Sequence, residues 1–136
     1  WDGYCVVHQY GFSAEDVLTV KSKYPDYKLL VHPECDPQII KYADLVVSTG
    51  GMVDWVKNND KAIIATEIGL TEYLQHIYPE KSLIPLSPKA ICKNMKKTTL
   101  EKVYNALKYN QYVISVKPNI AQKARKAINR MLELSR

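Results

Sequence analysis

Apolar positions along the chain follow two alternating rhythms. Short, nearly continuous apolar runs at residues 28–31, 45–47, 61–66 and 82–86 read as strands buried on both faces. Between them lie segments with helical spacing. Ser13 reads as an N-cap with Asp16 in a capping-box position, and Val17, Leu18, Val20 and Tyr24 predict a helix over 14–24 that Pro25 stops. Asp36-Pro37 reads as an N-cap followed by proline at the first helical position, opening a helix to residue 42. Further helices are expected over 52–58 and 69–77, the latter closed by Tyr78-Pro79. After a polar loop over 88–99, Thr99 caps a helix over 100–109, and weak alternation predicts a strand over 112–116. A last helix, opened by Pro118 or Asn119 and running to Leu134, carries an apolar stripe that includes Ile120, Ile128, Met131 and Leu132 and suits core or interdomain packing. At the other end, residues 1–8 read as an apolar segment, within which residues 2–5 resemble the end of a strand and its turn.

Strands alternating with helices at this spacing imply right-handed crossovers and a parallel sheet. The expected architecture is α/β: a three-layer α/β/α Rossmann-like unit followed by C-terminal helices. Composition agrees with one ordinary globular domain, since 46% of the 136 residues are hydrophobic and 24% charged, with five Gly and seven Pro. No run approaches the ~18 to 20 apolar residues of a membrane span, and no signal segment is visible, so a cytoplasmic protein is expected. The first residue is Trp1, and the chain is expected to be a fragment of a longer protein. The net charge of +5 is modest, and the cluster Lys93, Lys96 and Lys97 reads as a solvated face, with an anion site as the alternative.

Polar chemistry gathers where the apolar runs end, the edge at which open α/β sheets bind ligands. The first run leads into His32-Pro33-Glu34-Cys35, an imidazole, a carboxylate and a thiol within four residues. The second leads into Ser48-Thr49-Gly50-Gly51, whose hydroxyls and free amides suit a phosphate or carboxylate, and equally a plain capped turn. The third ends in Thr66 and Glu67. Cys5, Cys35 and Cys92 are far apart and odd in number, which argues against a disulfide framework and a zinc knuckle. They are either inert buried thiols or ligands that converge in the fold. His76, near a helix end, suits a surface or dipole role.

Gly3-Tyr4-Cys5 with His8, His32-Pro33-Glu34-Cys35, Ser48-Thr49-Gly50-Gly51-Met52, Thr66-Glu67-Ile68-Gly69 and Cys92-Lys93-Asn94-Met95-Lys96, in that order, closely resemble quinolinate synthases, the iron–sulfur enzymes of NAD biosynthesis. The resemblance spans most of the chain and points to the family's C-terminal half. It implies a fragment of a pseudo-symmetric enzyme with three Rossmann-like domains around a [4Fe-4S] cluster, each domain giving one cysteine and the fourth iron left open to substrate. Residues 1–92 would be the third domain and 93–136 a C-terminal segment packing on the neighbouring one, with the N-terminal half absent.

By that resemblance Cys5 and Cys92 are cluster ligands, the third lies upstream of Trp1, and Cys35 matches no ligand position and is structural or redox-accessory. The implied reaction condenses iminoaspartate with dihydroxyacetone phosphate to quinolinate, with loss of phosphate and water. His32 and Glu34 would bind substrate and move protons, and Ser48 and Thr49 would bind its carboxylate or phosphate. Lys93 stands where the family commonly has proline, which loosens the loop and, as a cation beside Cys92, favours the thiolate. The implied partners are those two small molecules and, as functional neighbour, an aspartate-oxidising enzyme; neither nucleic acid nor membrane is expected. With two of three ligands, the chain alone is expected to be inactive. The competing reading is a stand-alone α/β binding module for a phosphorylated metabolite or nucleotide, held by Ser48-Thr49-Gly50-Gly51.

Overall fold

The computed structural model describes residues 3–135. The four apolar runs form β1 (Lys28–Val31), β2 (Leu45–Val46), β3 (Lys61–Ala65) and β4 (Ser82–Pro85), all parallel, in the spatial order β2-β1-β3-β4. Leu30 pairs with Leu45 on one side and Ile64 on the other, and Ile63 pairs with Ile84. The chain steps outward from β1 to β2 and then crosses back to β3, so the strand order reverses between β1 and β3. The crevice above such a reversal is where open α/β sheets take their ligands.

Five helices connect and flank the strands: α1 (Val6–Tyr10), α2 (Ala14–Lys23), α3 (Pro37–Ile40), α4 (Thr49–Lys57) and α5 (Ile68–Ile77). The α2 start is the expected capping box, with the Ser13 hydroxyl accepting from the Asp16 amide and the Asp16 carboxylate accepting from the Ser13 amide. Asp36 caps α3 by accepting the Gln38 N–H at 2.7 Å, ahead of Pro37 at the first helical position.

Alternation along β1 and β3 divides the core into two layers. Leu29, Val31, Ile63 and Ala65 face a cluster that includes Val7, Phe12, Val17 and Ile39 from α1, α2, α3 and their connections. Leu30, Ala62 and Ile64 face Met52 and Val56 of α4 and Leu74 of α5. Both faces of the central strands are therefore covered, as the unbroken apolar runs require. Each wholly buried Leu or Ile contributes up to ~2 kcal/mol relative to exposure. No helix among the described residues is long and apolar enough to cross a membrane.

Several expected boundaries differ. Cys5 to Gly11 holds a short helix rather than a strand end; five residues are too few to show helical periodicity, while Trp1 and Asp2 lie outside the described residues. α4 begins at Thr49 rather than at residue 52, because Ser48 caps it and draws both glycines into its first turn. The loop over 88–99 contains a single 3-10 turn at Met95–Lys97.

The chain divides into two compact units, Trp1–Met95 and Lys96–Arg136. The second holds α6 (Leu100–Tyr109), capped by Thr99 and ended by Asn110 in the left-handed region, and α7 (Pro118–Leu134). Neither helix buries a side chain among the described residues. The strand expected over 112–116 is absent: a strand exists only where a neighbour completes its backbone ladder, and no described residue pairs with this stretch, whose Tyr112, Val113 and Ile114 are at least 80% exposed.

Candidate functional site

The carboxyl edge of the sheet brings together residues from four strand ends. At the end of β1 the backbone leaves the sheet through His32, whose N–H still bonds to the Ala65 carbonyl, and turns so that the Cys35 N–H donates back to the His32 carbonyl at 3.0 Å. Within that turn the Glu34 N–H donates to His32 Nδ1 at 3.2 Å. A neutral His32 with this acceptor carries its proton on Nε2. Burial, and then the neighbouring His8, hold the His32 pKa below its ordinary value, which keeps the ring neutral at neutral pH.

Glu34 reaches back to α1. Its Oε2 accepts the Cys5 N–H at 3.2 Å and stands 3.5 Å from His8 Nδ1, with half of the side chain open to solvent. The Cys5 amide and then the adjacent His8 hold the Glu34 carboxyl below the usual carboxylate range. His8 was part of the motif set but had no assigned role, and the fold places it in the middle. Its ring stacks on His32 with centroids 4.0 Å apart and planes 8° from parallel, and its Nε2 lies 2.8 Å from the hydroxyl of buried Thr66 at the end of β3. His8 and Thr66 thus close the gap above the β1–β3 reversal.

Cys5 is the N-cap of α1 and uses no side-chain bond for capping, so its sulfur is free. Cys92 is also free and, like Cys5, packs half-buried against the core layer that contains Val7 and Ala90. Its loop is fixed by Glu67, a buried carboxylate whose Oε2 accepts the Gly69 N–H at 2.8 Å, capping α5, and whose Oε1 accepts the Cys92 N–H at 3.2 Å. The Ile68 N–H adds a bond to the Ala90 carbonyl. Each of these two cysteines therefore has its amide held by a glutamate from a strand end, Glu34 for Cys5 and Glu67 for Cys92. A cleft of about 460 Å³ opens between α1 and this loop, lined by Val6, Tyr10, Gly11, Ala90, Cys92 and Lys93 among others.

Cys35 differs on every count. It is 3% exposed, its Sγ approaches the Ala65 carbonyl at 3.6 Å, and burial pushes its thiol up to about 12. An apolar pocket that keeps the sulfur protonated is unsuited to a thiolate ligand. Ser48 and Thr49 lie exposed at the end of β2, next to β1, with the Ser48 hydroxyl accepting the Gly51 N–H at 3.2 Å. No hydrogen bond among the described residues joins them to His32 or Glu34. His76 ends α5, away from these strand ends.

The donor set suits part of an iron–sulfur site. Cys5 and Cys92 are free, half-buried thiols anchored through their amides, while Cys35 is withheld in the core.

The family described as NadA, Quinolinate synthetase A protein, matches residues 1–133. Quinolinate synthase of Caldicellulosiruptor saccharolyticus is 44% identical over 137 residues, covering 99% of this chain and 45% of that protein. Those of Pyrococcus abyssi and Methanothermobacter thermautotrophicus are each 45% identical, covering 98% of this chain and 44% of theirs. The chain thus spans under half the length of these relatives. The matches do not bear out the expected placement in the family's C-terminal half.

Proposed function

The chain belongs to the quinolinate synthetase A protein family, and from that membership we propose that it is part of a quinolinate synthase, condensing iminoaspartate with dihydroxyacetone phosphate with loss of phosphate and water. The observation that carries the reading is the pairing of each half-buried cysteine amide with a strand-end glutamate, since it holds two free thiols and an ionised carboxylate at one edge of the sheet. Cys5 and Cys92 would hold a [4Fe-4S] cluster together with a third ligand from the rest of the enzyme. When bound, the cluster supplies a Lewis-acidic iron for the oxygen lost in dehydration.

The chain's own residues supply proton transfer and positioning. Glu34, ionised at neutral pH and oriented by the Cys5 amide, accepts a proton at a carboxylate oxygen from carbon next to the substrate's carboxylate or imine. Neutral His32 presents an Nε2–H that can donate to a substrate oxygen, and its stacking on His8 fixes the ring plane. Ser48 and Thr49, exposed at the adjacent strand end, are the proposed contacts for a substrate phosphate or carboxylate. Residues 93–136 would pack on a neighbouring domain of the whole enzyme, which the exposure of Leu100, Leu107 and Leu134 supports. The enzyme would act in the cytoplasm, beside one that oxidises aspartate.

The test is anaerobic reconstitution of the full-length protein with iron and sulfide. Broad visible absorption is expected in the parent and in Cys35→Ala, and is expected to vanish in Cys5→Ala and Cys92→Ala. Glu34→Gln should keep the absorption and lose quinolinate formation by about a hundredfold or more. Equal loss of absorption in all three cysteine variants, or near-normal turnover in Glu34→Gln, would overturn the assignment.

A further inference from the structure

The same edge gathers a thiol, an imidazole and a carboxylate at close range. We propose that Cys5, His8 and Glu34 form a mononuclear site for a zinc-class divalent ion, filled when no cluster is held at Cys5. One ligand atom from each of the three, a sulfur, a ring nitrogen and a carboxylate oxygen, lies within 4.8 Å of the other two. In a tetrahedral zinc site with bonds of about 2.0 to 2.3 Å, neighbouring donors stand roughly 3.3 to 3.7 Å apart. His8 Nδ1 and Glu34 Oε2, at 3.5 Å, are already at that spacing. The sulfur lies no more than 4.8 Å from the other two donors, so about 1 Å of side-chain movement gathers all three.

The independent observation is on His8. The residue is buried, yet its Nδ1 makes no regular hydrogen bond and has only the Glu34 carboxylate, 3.5 Å away, beside it. That orphaned atom faces Glu34. Its other nitrogen, Nε2, is held at 2.8 Å by the Thr66 hydroxyl. A metal-binding histidine is oriented in this way by an outer partner on one ring nitrogen; with the Thr66 hydroxyl as acceptor, the lone pair of Nδ1 is left for the metal. The stacked His32 ring blocks rotation of the imidazole.

The donor chemistry selects the ion. One thiolate, one imidazole and one carboxylate match zinc or cobalt, whereas calcium and magnesium require oxygen donors throughout. Three protein ligands leave a fourth position for water on the exposed side of Glu34, the pattern of an open rather than a structural zinc site. The site shares Cys5 and Glu34 with the proposed enzyme centre but needs neither Cys92 nor the cluster to form.

The experiment uses the full-length protein, purified anaerobically without iron or sulfide and titrated with cobalt(II). A single bound ion is expected, with intense visible bands of tetrahedral cobalt, thiolate-to-cobalt charge transfer in the near ultraviolet, and bleaching on addition of zinc. Cys5→Ala should abolish the charge transfer. Glu34→Gln, isosteric and at a half-exposed side chain, should weaken binding about tenfold or more without disturbing the fold by circular dichroism. Cys92→Ala should retain the cobalt spectrum while losing the cluster, which separates failure of this site from failure of the cluster assignment. Charge transfer that survives Cys5→Ala, or that Cys92→Ala removes, would overturn the proposal, as would a weak six-coordinate spectrum.

Discussion

Burial of Cys35 makes the stability of the first unit fall at alkaline pH by a predictable amount. The thiol lies at 3% exposure among Val31, Ile39, Ile63 and Ala65, and its pKa is pushed from 9.0 up to about 12, chiefly by burial. The folded pKa is raised, so the stabilisation is complete below 9 and is lost as pH climbs toward the folded value, because the unfolded chain releases this proton first. With about 1.4 kcal/mol per pH unit, the loss is roughly 1.4 kcal/mol at pH 10 and about 4 kcal/mol by pH 12. Other groups titrate in the same range, so the measurement is a difference. Parent and Cys35→Ala chains are unfolded in urea at pH 8 and pH 10. The penalty of the substitution should shrink by about 1.4 kcal/mol between the two, since the variant has no thiol to ionise. A pH-independent penalty would refute the argument. So would native-state alkylation of Cys35 at the rate of Cys5.

Two further predictions concern stability around the site. Gly11 closes α1, and an alanine Cβ there would stand 2.3 Å from the Val7 carbonyl oxygen, whereas at Gly50 in α4 nothing lies nearer than Ser48 Oγ at 3.9 Å. Gly11→Ala should therefore destabilise by about 2 kcal/mol or more and Gly50→Ala should stabilise by about 0.5–1 kcal/mol in chemical denaturation; the reverse order would sink the packing account. Asp44, ahead of β2, accepts the Leu29 N–H at 2.8 Å and the Lys21 ammonium at 3.0 Å. Burial works against its ionisation, but these partners prevail and hold its pKa below 3.8. Its stabilisation is thus present above 3.8 and lost as pH falls through the depressed folded value. Asp44→Asn should cost about 1–2 kcal/mol at pH 7 and progressively less below pH 4, read from urea midpoints; an equal cost at both would refute it.

The strands were legible because β1 and β3 are buried on both faces, so their apolar runs are unbroken and the helices between them announce themselves with caps such as Ser13 and Asp36. What local pattern could not show is long-range pairing. His8 meets Thr66 across 58 residues and Cys92 meets Glu67 across 25, contacts that exist only once the parallel sheet aligns the ends of β1, β3 and β4. A signal for both was nonetheless visible: polar residues directly after an apolar run, at Thr66 and Glu67, in a position where packing alone has no use for them. The strand expected over 112–116 failed for the opposite reason, since β-prone residues do not by themselves supply a neighbouring strand.

Adjacent positions 34 and 35 show why proximity in sequence misleads about chemistry. Where a chain leaves a strand, consecutive side chains still tend toward opposite sides, so Glu34 turns to solvent and to α1 while Cys35 turns under the sheet toward Ala65. The thiol nearest Glu34 in sequence is thus protonated and enclosed, and the carboxylate instead bonds the amide of Cys5, 29 residues earlier. Glu67 repeats the arrangement for Cys92 one strand over, with its carboxylate bonding the cysteine's amide rather than its sulfur. A carboxylate that holds the amide fixes the loop and leaves the cysteine sulfur unengaged.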